Sequence, residues 1–212
     1  MQLSPSIVVC LDLALANTGI AVLRINPGGV DELLHVHTIH TEKAKSSRIK
    51  VSADEWRRTT ELTVGITDAV RLHQPAHIFI ECPTGGSKSA SAARSMAVAR
   101  GAACACLQGL NIKATLVTPF EAKAAATGNK LATKHEVRDA VKLVFPDFTG
   151  WIKGKRGQEL AGLNEHVYDA LSVYMAARFT PSYKELKGYD PNATNPPKDR
   201  PAQRKHNIYP TP

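Results

Sequence analysis

The chain has little cysteine, few aromatic side chains and no long apolar run. Its four cysteines, Cys10, Cys82, Cys104 and Cys106, make no C-x-x-C pair and no zinc-finger spacing. That excludes a disulfide framework and a structural zinc module, and it points to buried free thiols in a reducing compartment. Phe, Trp and Tyr together make 6% of the chain, so aliphatic side chains and alanine must fill the core. No window approaches the ~18 apolar residues of a membrane span. Met1 to Ser6 shows no basic region leading into an apolar stretch, so no secretory signal is expected. These absences together predict a cytoplasmic protein with no membrane partner.

What is present is positive charge. The formal net charge is +8, and six Lys or Arg stand against three Asp or Glu after residue 180. A basic surface favours a polyanion, and nucleic acid is the commonest one, although many soluble proteins are mildly basic. Seven prolines fall in the last 32 residues, which carry no apolar period. The expected organisation is one domain over residues 1–180 and a flexible basic tail over 181–212.

The apolar run at residues 7–13 predicts a buried strand that carries Asp12. Asn17-Thr18-Gly19 predicts a turn, followed by strands over 20–24 and 33–41. Ser52-Ala53-Asp54-Glu55 has the form of a capping box, predicting a helix to about residue 73. A fourth strand over 77–81 ends in Glu81. A small-residue helix follows over 87–110, then a strand over 112–117. Pro119 opens a short helix, and Thr133-x-x-Glu136 caps another. A Lys-Gly-Lys-Arg-Gly loop precedes a last helix over 163–179. Three strands in a meander followed by β-α-β units predict an α/β fold. Its sheet should be mixed and five-stranded, flanked by helices.

Asp12 and Glu81 each end an apolar strand, where an unpaired carboxylate is costly. His166 and Asp169, three apart, share one face of the last helix. Carboxylates from two strands and a helix, with one imidazole, suit Mg²⁺ or Mn²⁺. Two such ions would serve phosphodiester hydrolysis, one activating water and the other stabilising the leaving oxygen. Each residue also has a plainer role: strand-end acids cap helices or pair with arginine, and Glu165 stands beside His166 as the alternative ligand. Cys82, next to Glu81, fits a core thiol better than a ligand.

With those residues in view, the chain resembles RuvC-type Holliday junction resolvases of the RNase H-like superfamily. Val9-Cys10-Leu11-Asp12 followed by Asn17 to Val22 is similar to their first strand pair. Ile78-Phe79-Ile80-Glu81 is similar to their glutamate strand, and Ala99-Arg100-Gly101 to an Arg-Gly pair in the next helix. Lys123 to Gly128, then Ala132 and Lys134, follow their K-x4-G-x3-A-x-K stretch. His166-Val-Tyr-Asp169-Ala-Leu follows their closing helix. The resemblance implies an RNase H-like fold and a homodimeric, Mg²⁺-dependent endonuclease for four-way junctions or other branched DNA, in a bacterial or phage-infected cell. It makes Asp12, Glu81, His166 and Asp169 the metal ligands, and puts Lys123 and Lys134 near the scissile phosphate. A lysine at a helix N-terminus is otherwise unfavourable unless it serves an anion, which agrees for Lys134.

The sequence departs from that pattern in two places. Lys130 stands where the family has a second glycine. Cys82-Pro83-Thr84-Gly85-Gly86 stands where the family often has an aromatic side chain, and it offers nothing to stack on a base. Lys130, Lys153, Lys155 and Arg156 are further candidates for DNA contact, with solvated surface as their plainer reading. The small-residue helix over 87–110 is the candidate dimer interface, or else packs on the protein's own sheet. Three other readings are a less selective nuclease on flaps, forks or hybrids, a non-catalytic junction-binding module, and an actin-like phosphotransferase. The last lacks a second glycine-rich phosphate loop.

Overall fold

Strand β1 (Ser6–Asp12) is apolar on both faces because it lies in the middle of the sheet. The computed structural model describes residues 4–82 and 89–189. β1 pairs antiparallel with β2 (Asn17–Ile25), and β2 pairs antiparallel with β3 (Glu32–His40). On its other side β1 pairs parallel with β4 (His77–Glu81), which pairs parallel with β5 (Ala114–Val117). The strand order is β3-β2-β1-β4-β5, the mixed five-stranded sheet expected from the sequence.

Alternation along each strand sorts the core into two layers. Val9, Leu11, Ile20, Val22, Ile78 and Ile80 face helices α1 (Val51–His73) and α2 (Ala90–Gly109). Val8, Cys10, Ala21, Leu23 and Phe79 face the opposite side. There lie α3 (Pro119–Thr127), α4 (Lys134–Val144), α5 (Ala161–Ala177) and α6 (Pro181–Leu186). From Val167 to Ala177 only Asp169 is not fully buried, because α5 sits between the sheet and helices α3 and α4. No helix among the described residues is long and apolar enough to cross a membrane.

Several expectations need correction. Asn17-Thr18-Gly19 is the start of β2, not a turn; the chain reverses just before it, where Thr18 Oγ1 donates to Ala14 O at 2.7 Å. Ser52 does not cap α1. Lys50 is its N-cap, with no side-chain cap hydrogen bond, and tertiary partners claim the two acids. Asp54 accepts from the Ala44 N–H, and Glu55 pairs with Arg94. β5 begins at Ala114 and α2 at Ala90, each later than expected. Residues 87 and 88 lie outside the described residues. The fold does not end at residue 180, since α6 follows and buries Tyr183. The tail expectation for 190–212 lies outside the described residues. Of the four thiols Cys10 is buried, Cys82 and Cys106 are half-buried, and Cys104 is exposed.

Candidate active site

Parallel pairing puts Asp12 in register with Glu81, each at the end of its strand. Both lie at two-residue spacing from Cys10 and Phe79, which face α5, so both carboxylates turn to the α5 side. On the other side of Asp12 its register partner is Gly19. A Cβ on Gly19 would stand 1.9 Å from the His166 carbonyl oxygen, so only glycine lets α5 come this close. Thr38 Oγ1 donates to Leu163 O at 2.9 Å and fixes the first turn of α5 over the sheet.

That approach brings His166 and Asp169, one helical turn apart, down onto Asp12. His166 Nδ1 lies 3.1 Å from Asp12 Oδ2. Ligand atoms of Asp12, His166 and Asp169 all fall within 4.8 Å of one another. Glu81 is beside this trio through its pairing with Asp12, though outside that 4.8 Å group. Glu165 turns away and pairs with Lys134. Between the two readings of the helix, the geometry brings His166 and not Glu165 to Asp12.

The cluster is electrostatically strained. Burial first, then the neighbouring Asp12 and Asp169, push the Glu81 carboxyl up to about 8, against the pull of Lys123 and Lys134. Burial, then Asp12, pushes Asp169 up to about 6, against Lys134 and His166. The hydrogen bond to Asp12 raises the His166 imidazole. Converging carboxylates held in one half-buried place relieve their repulsion by binding a cation. The donors here are carboxylate oxygens and one imidazole nitrogen. That set fits Mn²⁺ or Mg²⁺, and it is too poor in soft ligands for a structural zinc.

Lys123 lies on α3, and its charge acts on Glu81. Lys134 is the first residue of α4, held by the Thr133–Glu136 capping box, and its charge reaches Glu81, Asp169 and Asp12. The other basic candidates are not joined to the cluster by any contact among the described residues. Lys130 is exposed between α3 and α4. Lys153 faces Glu159 across an isolated bridge, and Lys155 and Arg156 are exposed beyond it. The expectation about Pro83 to Gly86 lies outside the described residues.

Three features were not anticipated from the sequence. Gly19 is the contact point for α5. Asn164, 1% exposed, holds the basic loop to α5: its Oδ1 accepts from Ile152 N–H and its Nδ2 donates to Ile152 O, both at 2.9 Å. The third is the loop between β3 and α1, where Lys43, Lys45, Arg48 and Lys50 fall within eight residues. That density of charge was visible in the sequence.

A five-stranded sheet in this order, with acids at the ends of β1 and β4 and a third on the helix that covers them, defines an RNase H-like protein. The profile of the family "Crossover junction endodeoxyribonuclease RuvC" matches residues 8–146. The chain belongs to this family. A relative of the same name from Chromohalobacter salexigens is 30% identical over 101 residues, 47% of this chain and 54% of that protein. The chain thus matches about half the length of that relative. Among solved structures, T. thermophilus RuvC in complex with Holliday junction substrate aligns with a TM-score of 0.63 at 16% identity. The alignment covers 87% of this chain and 97% of that one. The yeast mitochondrial Holliday junction resolvase Ydc2 aligns with a TM-score of 0.56 at 12% identity, covering 86% and 80%. At such identities the likeness is one of fold.

Proposed function

We propose that this protein is a structure-selective endonuclease that cuts four-way and related branched DNA by metal-dependent phosphodiester hydrolysis. The observation that carries this reading is the convergence of Asp12, His166 and Asp169, with Glu81 in register, on the fold of the RuvC family. Asp12, Glu81, His166 and Asp169 are the residues to hold Mg²⁺ or Mn²⁺, two ions in the form proposed. Bound there, the ions supply Lewis acidity to the phosphate and lower the pKa of attacking water. The chain's own contribution is placement. Gly19 lets α5 close on β1, Asp12 orients the His166 ring, and Lys123 and Lys134 offer positive charge to a phosphate beside the acids. A junction cut symmetrically needs two such sites, so a homodimer is part of the proposal. Micromolar protein that measures as a monomer in solution overturns it. We assign the protein to the cytoplasm of a bacterial or phage-infected cell, where branched DNA arises.

A second reading keeps the chemistry and relaxes the selectivity to flaps, forks or RNA–DNA hybrids. The segment Cys82-Pro83-Thr84-Gly85-Gly86 favours it, since no aromatic side chain is there to stack at a junction centre. One experiment separates the readings. A labelled four-way junction, a fork, a hybrid and a plain duplex are incubated with the protein in Mg²⁺ and in Mn²⁺, beside Asp12→Asn. Paired nicks at symmetric positions on the junction, absent in the variant, are expected. Equal cutting of forks and hybrids gives the second reading. Tight junction binding with no cutting in either metal leaves a binding module and overturns the enzyme.

A further inference from the structure

The loop joining β3 to α1 lies at the sheet face away from α5. Lys43, Lys45, Arg48 and Lys50 are all exposed on it, and Glu42 is the single acid over residues 42–50. The loop walls an open cavity of about 420 Å³, lined also by Arg58, Arg94 and the first turn of α2 at Ala90 and Ser91. Arg58 is only 5% exposed. Its Nε donates to Thr41 Oγ1 at 2.9 Å, and Thr41 in turn donates to Leu15 O. Among the described residues, neither Nη1 nor Nη2 of Arg58 makes a hydrogen bond or an ion pair. Two acids also line the cavity: Asp54 takes Arg57 and the Ala44 N–H and feels the charge of Arg58, and Glu55 takes Arg94 on the same wall, so the lining cations Lys43, Arg58 and Arg94 outnumber the acids.

No buried side-chain nitrogen among the described residues lacks a partner, so the free Nη donors of Arg58 reach the solvent of the cavity, where an anion can take them. The planar fork of Arg58 matches two phosphate oxygens, and the positive end of the 20-residue helix α2 adds to the same field. Leu15, on the cavity wall, follows Asp12 by three residues. The cavity therefore opens beside the same strand end as the carboxylate cluster, on the other face of the sheet.

We propose that this cavity is a second phosphate site, in which Arg58 clamps a backbone phosphate of the bound nucleic acid and the 43–50 loop lines the strand's path. The proposal rests on the reading of DNA as the partner. It gives the strand two fixed points, one at the carboxylates and one across the sheet from them.

Plain duplex DNA is the probe, titrated in EDTA across a range of salt, so that neither cutting nor junction selectivity enters the readout. The variants are Arg58→Gln and the exposed pair Lys43→Gln/Arg48→Gln. The slope of log K against log[salt] is expected to shrink by about 0.9 for each phosphate that the variant no longer neutralises. The melting temperature of the loop pair should match the parent's. If Arg58→Gln melts early, the loop pair alone decides. An unchanged slope in variants that melt like the parent overturns the proposal. So does a thermal shift with inorganic phosphate that vanishes in Arg58→Gln while the DNA slope stays, which would make the cavity a free-anion pocket. A parent protein that cuts no junction removes the function proposed above, but this slope still decides the phosphate site.

Discussion

Glu81 and Asp169 make the metal-free chain sensitive to alkali. Glu81 titrates near 4.5 when unfolded and at about 8 when folded. Between those values the folded chain keeps a proton that the unfolded chain has lost. Its contribution to stability is thus complete below about 4.5 and is lost as the pH rises through 8. Asp169 acts with the same sign from 3.8 to about 6. The parent in EDTA should therefore melt lower at pH 8.5 than at pH 6. Glu81→Gln should flatten that fall and raise Tm at pH 8.5 by about 2–4 °C for each kcal/mol recovered. Calorimetry across the pH range checks it, and a Glu81→Gln profile parallel to the parent's rejects it. These acids were legible because each follows an apolar strand or sits three residues from a histidine. Gly19 was not. Asn-Thr-Gly has the same form in a turn as at a strand start, and the reason for the glycine is the carbonyl of His166, far along the chain.

At the scale of the element, a capping box is legible only when nothing else wants its acid. Thr118 with Glu121 and Thr133 with Glu136 close their boxes on exposed helix ends. Ser52 has the same pattern, but Glu55 lies against Arg94 of α2 and leaves the cap. The basic loop over residues 153–160 shows the converse case. It has no strong local signal, yet it is fixed, because Asn164 of α5 takes both backbone groups of Ile152. Asn164→Ala should leave the Ile152 N–H without a partner, while the Ile152 carbonyl keeps the Leu160 N–H at 2.9 Å. The expected loss is about 1–2 kcal/mol, the range for one unsatisfied group in a half-buried loop. Hydrogen exchange then separates local from global effects. The amides of Ile152, Gly154 and Leu160 should speed up more than those of β1. Equal acceleration everywhere would mean the clamp supports the whole fold rather than the loop.

Over the whole molecule, the succession of strands and helices and the mixed five-stranded sheet could be read in advance, because hydrophobic period and turn residues mark each element locally. Where the domain ends could not. Proline dominates the composition after residue 180, but Tyr183 and Lys187 find their partner near the start of the chain. Asp31, its side chain 3% exposed, accepts from Tyr174 at 2.8 Å, from Tyr183, and from the Asn26 N–H at 3.1 Å. Lys187 Nζ lies 2.9 Å from the same carboxylate and also donates to the carbonyls of Asn26 and Gly29. The network ties α5 and α6 to the β2–β3 turn. Lys187→Met removes the only cation paired with Asp31 among the described residues but leaves the phenols in place. Breaking a fully buried pair costs about 3–5 kcal/mol. Lys187 is 24% exposed, so the loss here should be smaller, about 1–3 kcal/mol. Adding Asp31→Asn to Lys187→Met should recover part of that loss, because the buried charge is then gone as well. Denaturant melts of the two single variants and the double measure the coupling. If the losses simply add, α6 is held by its apolar contacts, Tyr183 and Leu186, and the ion pair is incidental.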